Sequence, residues 1–378
     1  MRLLLLTPAE LTRDPRARRA ASAALASGLD VVGLCGRISG EEPAELDGVP
    51  VRRAGRRRTV DPSREPGVAP RRQAPVRELR GAYRLGRLAV RTAGLVRAAR
   101  GLGRFDVVHA NDLDTLPAAW LLARRVGARL VYDAHELYSE FDQDPPRVAR
   151  RVLLALERAL ARRADAVVTV SDGLADELVS RLRLRTRPLV VLNAPEIDRR
   201  EPPVVEGGPL RVVYQGSLGP GRPLEDLLAA VEEAGDIRLT LRALRLSRPV
   251  DDERVVVEQP LPPSRVVDGL HGHEVGVVFD RPLTRNVELS FPNKVFEYLM
   301  AGLAVVVPDL PTLGRFVEGE GVGITFPAGR PELLGRRLQE LASDRPRLAK
   351  LRARARAVAV ERLNAEAQTD ALLTAWGR

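Results

Sequence analysis

Short apolar runs rich in Leu and Val alternate with amphipathic stretches of helical length from one end of this chain to the other, and few folds accommodate that alternation. Runs of about five apolar residues are too short for buried helices and fit strands covered on both faces. Strand and helix in strict alternation imply a parallel sheet, because a parallel connection needs a crossover and the crossover is usually a helix. The first series predicts strands at 2–6, 29–34, 106–110, 128–132, 165–170 and 188–192, with helices at 15–27, 76–101, 113–126, 147–163 and 172–183. The second predicts strands at 210–215, 237–243, 254–258, 274–279, 303–307 and 321–325, with helices at 223–234, 263–270, 293–301 and 330–343. Two last helices, at 345–360 and 364–376, have no strand after them.

A chain of 378 residues exceeds one ordinary core. It suits two domains of roughly 150 to 200 residues each. The Pro-, Gly- and charge-rich stretch Asn193 to Pro209 reads as the linker. The expected division is therefore 1–195 and 196–360, with the terminal helix within 361–378 returning to cover the first domain. Both are expected to be α/β, Rossmann-like, doubly wound domains facing a central cleft, where ligands bind outside the carboxyl ends of the strands.

The net charge of +10 does not imply nucleic acid, because aromatics are only 4% and the charge is concentrated. Residues 52–104 hold 16 Arg against Asp61, Glu65 and Glu78, a net of +13 that exceeds the whole-chain value. The lone Cys35 excludes a disulfide framework and suits a reducing compartment. MRLLLLTP is too short for the apolar region of a signal peptide and reads as a first buried strand. No run approaches the roughly 20 apolar residues of a spanning helix, so the expected location is cytoplasmic, with room for peripheral contact at the inner membrane face.

The segment FPNKVFEYLMAGLAVVVPD, Phe291 to Asp309, carries the clearest chemistry. Pro292 suits a first helical turn, Gly302 a C-terminal stop, and Leu303 to Val307 a covered strand. The unpaired N–H groups near Asn293 to Val295 then point out of the helix start, reinforced by its dipole. Lys294 stands in that turn, where a cation is unfavourable unless an anion joins it. Only Lys294 and Lys350 are lysines among the 60 basic residues. Upstream, YQGSLGPGRPLEDLLAAV places Gly216, Gly219 and Gly221 after a strand and before a helix, a geometry that brings backbone N–H groups close to a diphosphate, with Arg222 as a planar fork. A plain strand-to-helix connection explains such a turn equally when it stands alone.

Together these two segments resemble the donor half of the retaining GT-B glycosyltransferases of family 4, with their Gly-Arg-Leu-x-x-x-Lys-Gly turn and Pro-x-Lys-x-x-Glu helix. The likeness extends to DVVHANDLDTLPAA, ARLVYDAHELYSE, ADAVVTVSDGLADEL and VLNAPE, and so spans the chain. It implies transfer of a sugar from a nucleoside-diphosphate sugar to an acceptor hydroxyl or other nucleophile, with retained anomeric configuration and neither metal nor further cofactor. The first domain would take the acceptor, whether sugar, lipid-linked or small molecule, and the second the donor. The resemblance also implies that Gly216, Ser217, Leu218, Arg222, Asn293, Lys294, Val295 and Glu297 hold the donor, Arg222 in place of the family's diphosphate lysine. Glu297 reads otherwise as a helix-surface carboxylate. Ser217 replaces the usual arginine, and Leu289 stands where the first of two glutamates is expected, with Glu288 displaced by one residue.

His135, at a strand's carboxyl edge, aligns with the family's histidine near the anomeric centre; the plainer reading is a loop histidine bonded to Glu136 or Asp133. With Arg222, Lys294 and Glu297 it completes the expected catalytic set. Arg13, Asp14, Arg16, His109, Asn111, Asp112 and Glu136 are the expected acceptor residues, and Arg19 joins the first loop's charges. Asp14 reads equally as a cap before Pro15, and Asn111 and Asp112 as caps of the next helix. Arg77, Arg80, Arg84, Arg87 and Arg91 recur on one helix stripe, suited to an anionic membrane or to simple solvation. Two other functions fit the same plan: a nucleotide-sugar epimerase, which needs no acceptor, and a non-catalytic nucleotide-sugar sensor.

Overall fold

A computed structural model describes residues 1–11, 14–36, 45–54, 74–140, 146–203 and 207–378. The chain forms two compact units, Met1–Val191 with Thr369–Arg378, and Leu192–Gln368.

The first unit holds β1 (Arg2–Thr7), β2 (Asp30–Cys35), β3 (Glu45–Leu46), β4 (Val49–Arg53), β5 (Val107–Asn111), β6 (Arg129–Asp133), β7 (Ala166–Thr169) and β8 (Leu189–Val190). Their order across the sheet is β3-β4-β2-β1-β5-β6-β7-β8, and every pairing is parallel except the short β3–β4 hairpin. The strands at 45–53 are additional to those expected; the hairpin lies beside the Arg-rich stretch, where charge masks the apolar positions Val49 and Val51. In that stretch, the side chain of Arg77 lies outside the described residues. Helices α1 (Pro15–Ala26), α2 (Ala74–Ala98), α3 (Leu116–Val126), α4 (Arg147–Ala161) and α5 (Asp172–Leu182) connect the strands. All four leucines of β1 have no exposed surface, which is possible only for a strand covered on both faces.

In the second unit β9 (Leu210–Gln215), β10 (Ile237–Arg242), β11 (Val255–Glu258), β12 (Val275–Val277), β13 (Ala304–Pro308) and β14 (Gly323–Phe326) form an all-parallel sheet in the order β11-β10-β9-β12-β13-β14. Its helices are α6 (Leu224–Ala234), α7 (Val266–Leu270), α8 (Arg285–Leu289), α9 (Asn293–Met300), α10 (Leu313–Glu320), α11 (Pro331–Ser343) and α12 (Arg345–Glu361). The period of two is visible in the packing: Val212, Tyr214, Ala304 and Val306 join one core with residues of α6 and α11, while Val213, Val305 and Val307 join another with residues of α9, α10 and α12. Two short helices, α8 and α10, are additional to those expected, since segments of five and eight residues carry little periodicity.

The terminal helix α13 (Thr369–Trp376) belongs to the first unit, where Trp376 is buried with Leu3, Leu5, Val107 and Val131. In each sheet the strand order reverses beside the unit's first strand, between β1 and β5 and between β9 and β12. The loops leaving those strands therefore border the crevice in which open α/β sheets bind ligands.

Candidate functional site

In the second unit, the turn after β9 is locked by reciprocal backbone bonds, Gly219 N–H to Arg222 O at 3.0 Å and Arg222 N–H to Gly219 O at 2.8 Å. The Tyr214 hydroxyl donates to the Ser217 carbonyl at 2.9 Å and folds the turn over the strand end. Gly216 has φ +137°, and a Cβ there would lie 3.0 Å from Lys294 Nζ, so no other residue fits without displacing the ammonium.

Lys294 is 8% exposed, with no hydrogen-bond partner for Nζ among the described residues. Its ammonium lies 4.3 Å from the Tyr214 ring centroid, a cation–π contact. Burial lowers its pKa to about 8, although Asp280 works in the opposite direction. Asp280 ends the apolar run after β12, and its carboxylate lies 3.3 Å from Arg222 Nη1. Lys294 and Arg222, 72 positions apart in the sequence, thus act on one carboxylate and raise each other's need for negative charge. Sequence reasoning missed Asp280; its signal was a single carboxylate closing the run VGVVFD. Arg281 holds this loop by pairing both guanidinium arms with Asp226 of α6 at 2.8 and 2.7 Å, while its backbone N–H reaches Gly221 O at 2.8 Å.

Pro292 stands at the N-cap of α9, one position earlier than expected, and Asn293 opens the helix. Glu297 is half-buried and accepts from Gln215 Nε2 at 2.6 Å, which fixes it at the carboxyl end of β9. Gly276 lets the Tyr298 ring lie against β12, where a Cβ would come within 2.3 Å of it; the Tyr298 hydroxyl then accepts the Gln215 N–H at 3.1 Å. Val295 is buried, Ser217 exposed and Leu218 packed against the core. Leu289 is buried, and Glu288 is bound to Arg285 at 2.7 Å.

In the first unit, the carboxyl ends of β5 and β6 carry a network centred on Asp133. Arg16 of α1 grips this fully buried carboxylate with Nε at 2.7 Å and Nη2 at 3.0 Å, and its Nη1 donates to Val191 O at 2.6 Å. Burial works to raise the Asp133 pKa, but Arg16 and the neighbouring histidines hold it well below the usual carboxylate range. His109 is fully buried: Nδ1 accepts from Trp376 Nε1 at 3.0 Å, and Nε2 lies 3.6 Å from Asp133. Asn111 is equally buried and donates to Leu6 O at 2.8 Å. Arg16, His109 and Asn111 therefore support the site from beneath and do not present themselves to an acceptor. Asp14 takes the capping role, accepting from Ala17 N–H at 3.0 Å and from the Thr7 hydroxyl at 2.6 Å. Arg13 lies outside the described residues.

His135 reaches the surface above this base. Its Nε2 lies 3.0 Å from Asp112 Oδ2 and its Nδ1 3.9 Å from Asp133 Oδ1, so its main partner is Asp112, neither Glu136 nor Asp133. Burial opposes a charge on the ring, yet Asp112 and Asp133 raise its pKa well above the ordinary histidine value. Burial also raises Asp112, partly offset by His135. Asp112 adopts φ +65° and caps no helix with its side chain; α3 starts later, behind Thr115. Glu136 is driven to a pKa of about 7 by burial and then by the Asp112 charge. The edge thus presents a charged imidazole beside a carboxyl group that titrates near neutrality.

The sequence model of Glycosyltransferase Family 4 matches residues 16–199. No curated protein matches the sequence. Among solved structures, sucrose-phosphate synthase from Thermosynechococcus elongatus is similar at 16% identity and a TM-score of 0.73, over 98% of this chain and 96% of that one. HepE from Anabaena, in complex with UDP-glucose, is similar at 14% identity and a TM-score of 0.69, over 99% and 98%. The calicheamicin glycosyltransferase CalG4 is similar at 15% identity and a TM-score of 0.57, over 100% and 98%. The chain has the GT-B fold. In GT-B terms, the first unit carries the Asp112–His135 edge and the second carries the Lys294 site, each at its own sheet's reversal of strand order.

Proposed function

We propose that this chain is a family 4 glycosyltransferase that binds a nucleoside-diphosphate sugar in its second unit and transfers the sugar with retained configuration. One observation carries the reading: a buried ammonium without a hydrogen-bond partner among the described residues lies against Gly216, where a Cβ would come within 3.0 Å of it, and shares Asp280 with Arg222. A buried cation in that state is costly unless an anion completes it. A diphosphate does so, and the start of α9 favours an anion there through its dipole, although the Val295 N–H is already given to Pro292 O at 3.0 Å. HepE, whose structure holds UDP-glucose, supports a uridine nucleotide as the first donor to try.

The departing diphosphate is the group whose charge grows in the transition state, so cations fixed beforehand at its site lower the barrier. Lys294 and Arg222 fill that role here without a metal. Glu297, held by Gln215, is placed for donor hydroxyls. In the first unit, His135 and Glu136 receive the acceptor side, and the acceptor proton passes to the leaving phosphate in a front-face attack. A thermal-shift panel of nucleoside diphosphates and their sugars is expected to show stabilisation by at least one nucleotide, lost in Lys294→Met. Nuclear magnetic resonance of the product's anomeric centre tests retention. Isomerised donor in the absence of acceptor favours the epimerase instead, and an unaltered nucleotide shift in Lys294→Met sinks the assignment of the site.

A further inference from the structure

Two buried atoms of opposite charge stand unanswered in the second unit, and they do not answer each other. Lys294 Nζ and Asp280 Oδ2 have no hydrogen-bond partner among the described residues, on side chains of residues that are each 8% exposed. The other carboxylate oxygen, Oδ1, lies 3.3 Å from Arg222 Nη1, which leaves Oδ2 as the open acceptor. Asp280 is also held where it is. On one side of it in the chain the Phe279 ring packs against Tyr214 at a centroid distance of 4.8 Å, and on the other Arg281 is tied to Asp226 of α6 and to Gly221 O. Lys294 is confined in turn by the Tyr214 ring and by Gly216.

A carboxylate anchored on both sides remains in the site when a ligand arrives. An anion that offers acceptors alone, such as inorganic pyrophosphate, completes Lys294 but sets its charge against a buried oxygen that still lacks a donor. The ligand that completes both atoms carries phosphate oxygens with a hydroxyl close to them. In a nucleoside-diphosphate sugar the sugar's hydroxyls adjoin the outer phosphate. Transfer moves the anomeric carbon to the acceptor oxygen and leaves the electron pair of the broken bond on the outer phosphate, so the product has more negative charge there and no hydroxyl beyond it.

We propose that Asp280 distinguishes donor from product: Oδ2 accepts a hydroxyl of the donor sugar, and after transfer the same carboxylate opposes the outer phosphate and weakens the hold on the nucleoside diphosphate. A hydroxyl given to a carboxylate makes a strong, charge-assisted bond, whereas two anions at that range repel. This role presupposes that the site takes a nucleotide sugar, as proposed above.

Calorimetry on the full chain tests it, with UDP, ADP and GDP each set against its glucose form, in the wild type, Asp280→Asn and Lys294→Met. In any pair that binds, Asp280→Asn is expected to tighten the nucleoside diphosphate by roughly tenfold or more, while the nucleotide sugar stays level or weakens, so that the ratio of the two affinities moves by at least that factor. Asp280→Ser also removes the charge and carries the same expectation should the first variant not fold. An unchanged ratio, equal tightening of both ligands included, overturns the proposal and leaves Asp280 a counter-ion for Arg222 and Lys294. Binding of a nucleoside diphosphate by the wild type with no binding of any glucose form overturns it as well. Failure of every nucleotide to bind the wild type, or binding unaltered in Lys294→Met, overturns the donor reading itself, and the role of Asp280 falls with it.

Discussion

The two sheets end in the same kind of edge, yet the charges placed there are handled in opposite ways. In the first unit the buried Asp133 is fully answered: Arg16 binds it with two bonds, and two histidines lean on it. In the second unit the buried Lys294 is left without a hydrogen bond among the described residues, and burial lowers its affinity for a proton. A closed network of this kind holds a backbone in place, whereas an unmatched cation stores an interaction for a ligand to complete. Asp133 should thus matter to folding more than to binding, and Lys294 the reverse.

The largest effect expected is on stability in the first unit. Asp133→Ala leaves the Arg16 guanidinium buried without its main partner and should destabilise that unit by about 3–5 kcal/mol. Chemical denaturation monitored by circular dichroism checks it; a variant as stable as the wild type would show that Arg16 finds water or another partner. Next, Lys294→Met should cut transfer by roughly 100- to 1,000-fold. The same substitution should raise the stability of the ligand-free protein, by up to about 3 kcal/mol at neutral pH, because it removes a buried charge whose pKa is displaced from 10.5 to about 8. Activity lost together with stability would erase the contrast between the two edges.

The pH dependence sharpens it further. A lysine lowered in the folded state costs stability fully below its folded pKa, so the ligand-free protein should gain stability as pH rises from about 8 towards 10.5. Diphosphate favours the ammonium, so nucleotide affinity should fall over the same range, by at most about tenfold per pH unit, as read by calorimetry. Opposite slopes for stability and affinity are the signature of this site. The smallest effect concerns Glu136, raised from 4.5 to about 7. Its raised pKa makes stability highest below the unfolded value, with a decline as pH climbs from 4.5 to about 7. Glu136→Gln should flatten that decline and stabilise by about 1–2 kcal/mol above pH 7, after allowance for partial exposure.

Much of the proposed donor site was legible because its parts are local. The strand-turn-helix around Gly216 and the helix start at Asn293 each announce themselves within some fifteen residues. The first unit was harder to read. Arg16, His109 and Asn111 stand at loop and strand ends, where functional groups and buried supports share the same residue types, and only the packing of Trp376 and Asp133 over them separates the two. Asp280 escaped notice because one carboxylate after an apolar run carries no pattern.

From the sequence alone came the two α/β series, the parallel strands and the helix start at Asn293 with Lys294 in its first turn, since periodicity and turn chemistry act between neighbours in the chain. Only the tertiary structure decided that Arg16 would meet Asp133 across 117 positions, that Asp280 would join Lys294 to Arg222, and that α13 would return to bury His109. Those outcomes depend on strand order and on which side chains lose water together, and neither is written in the local pattern.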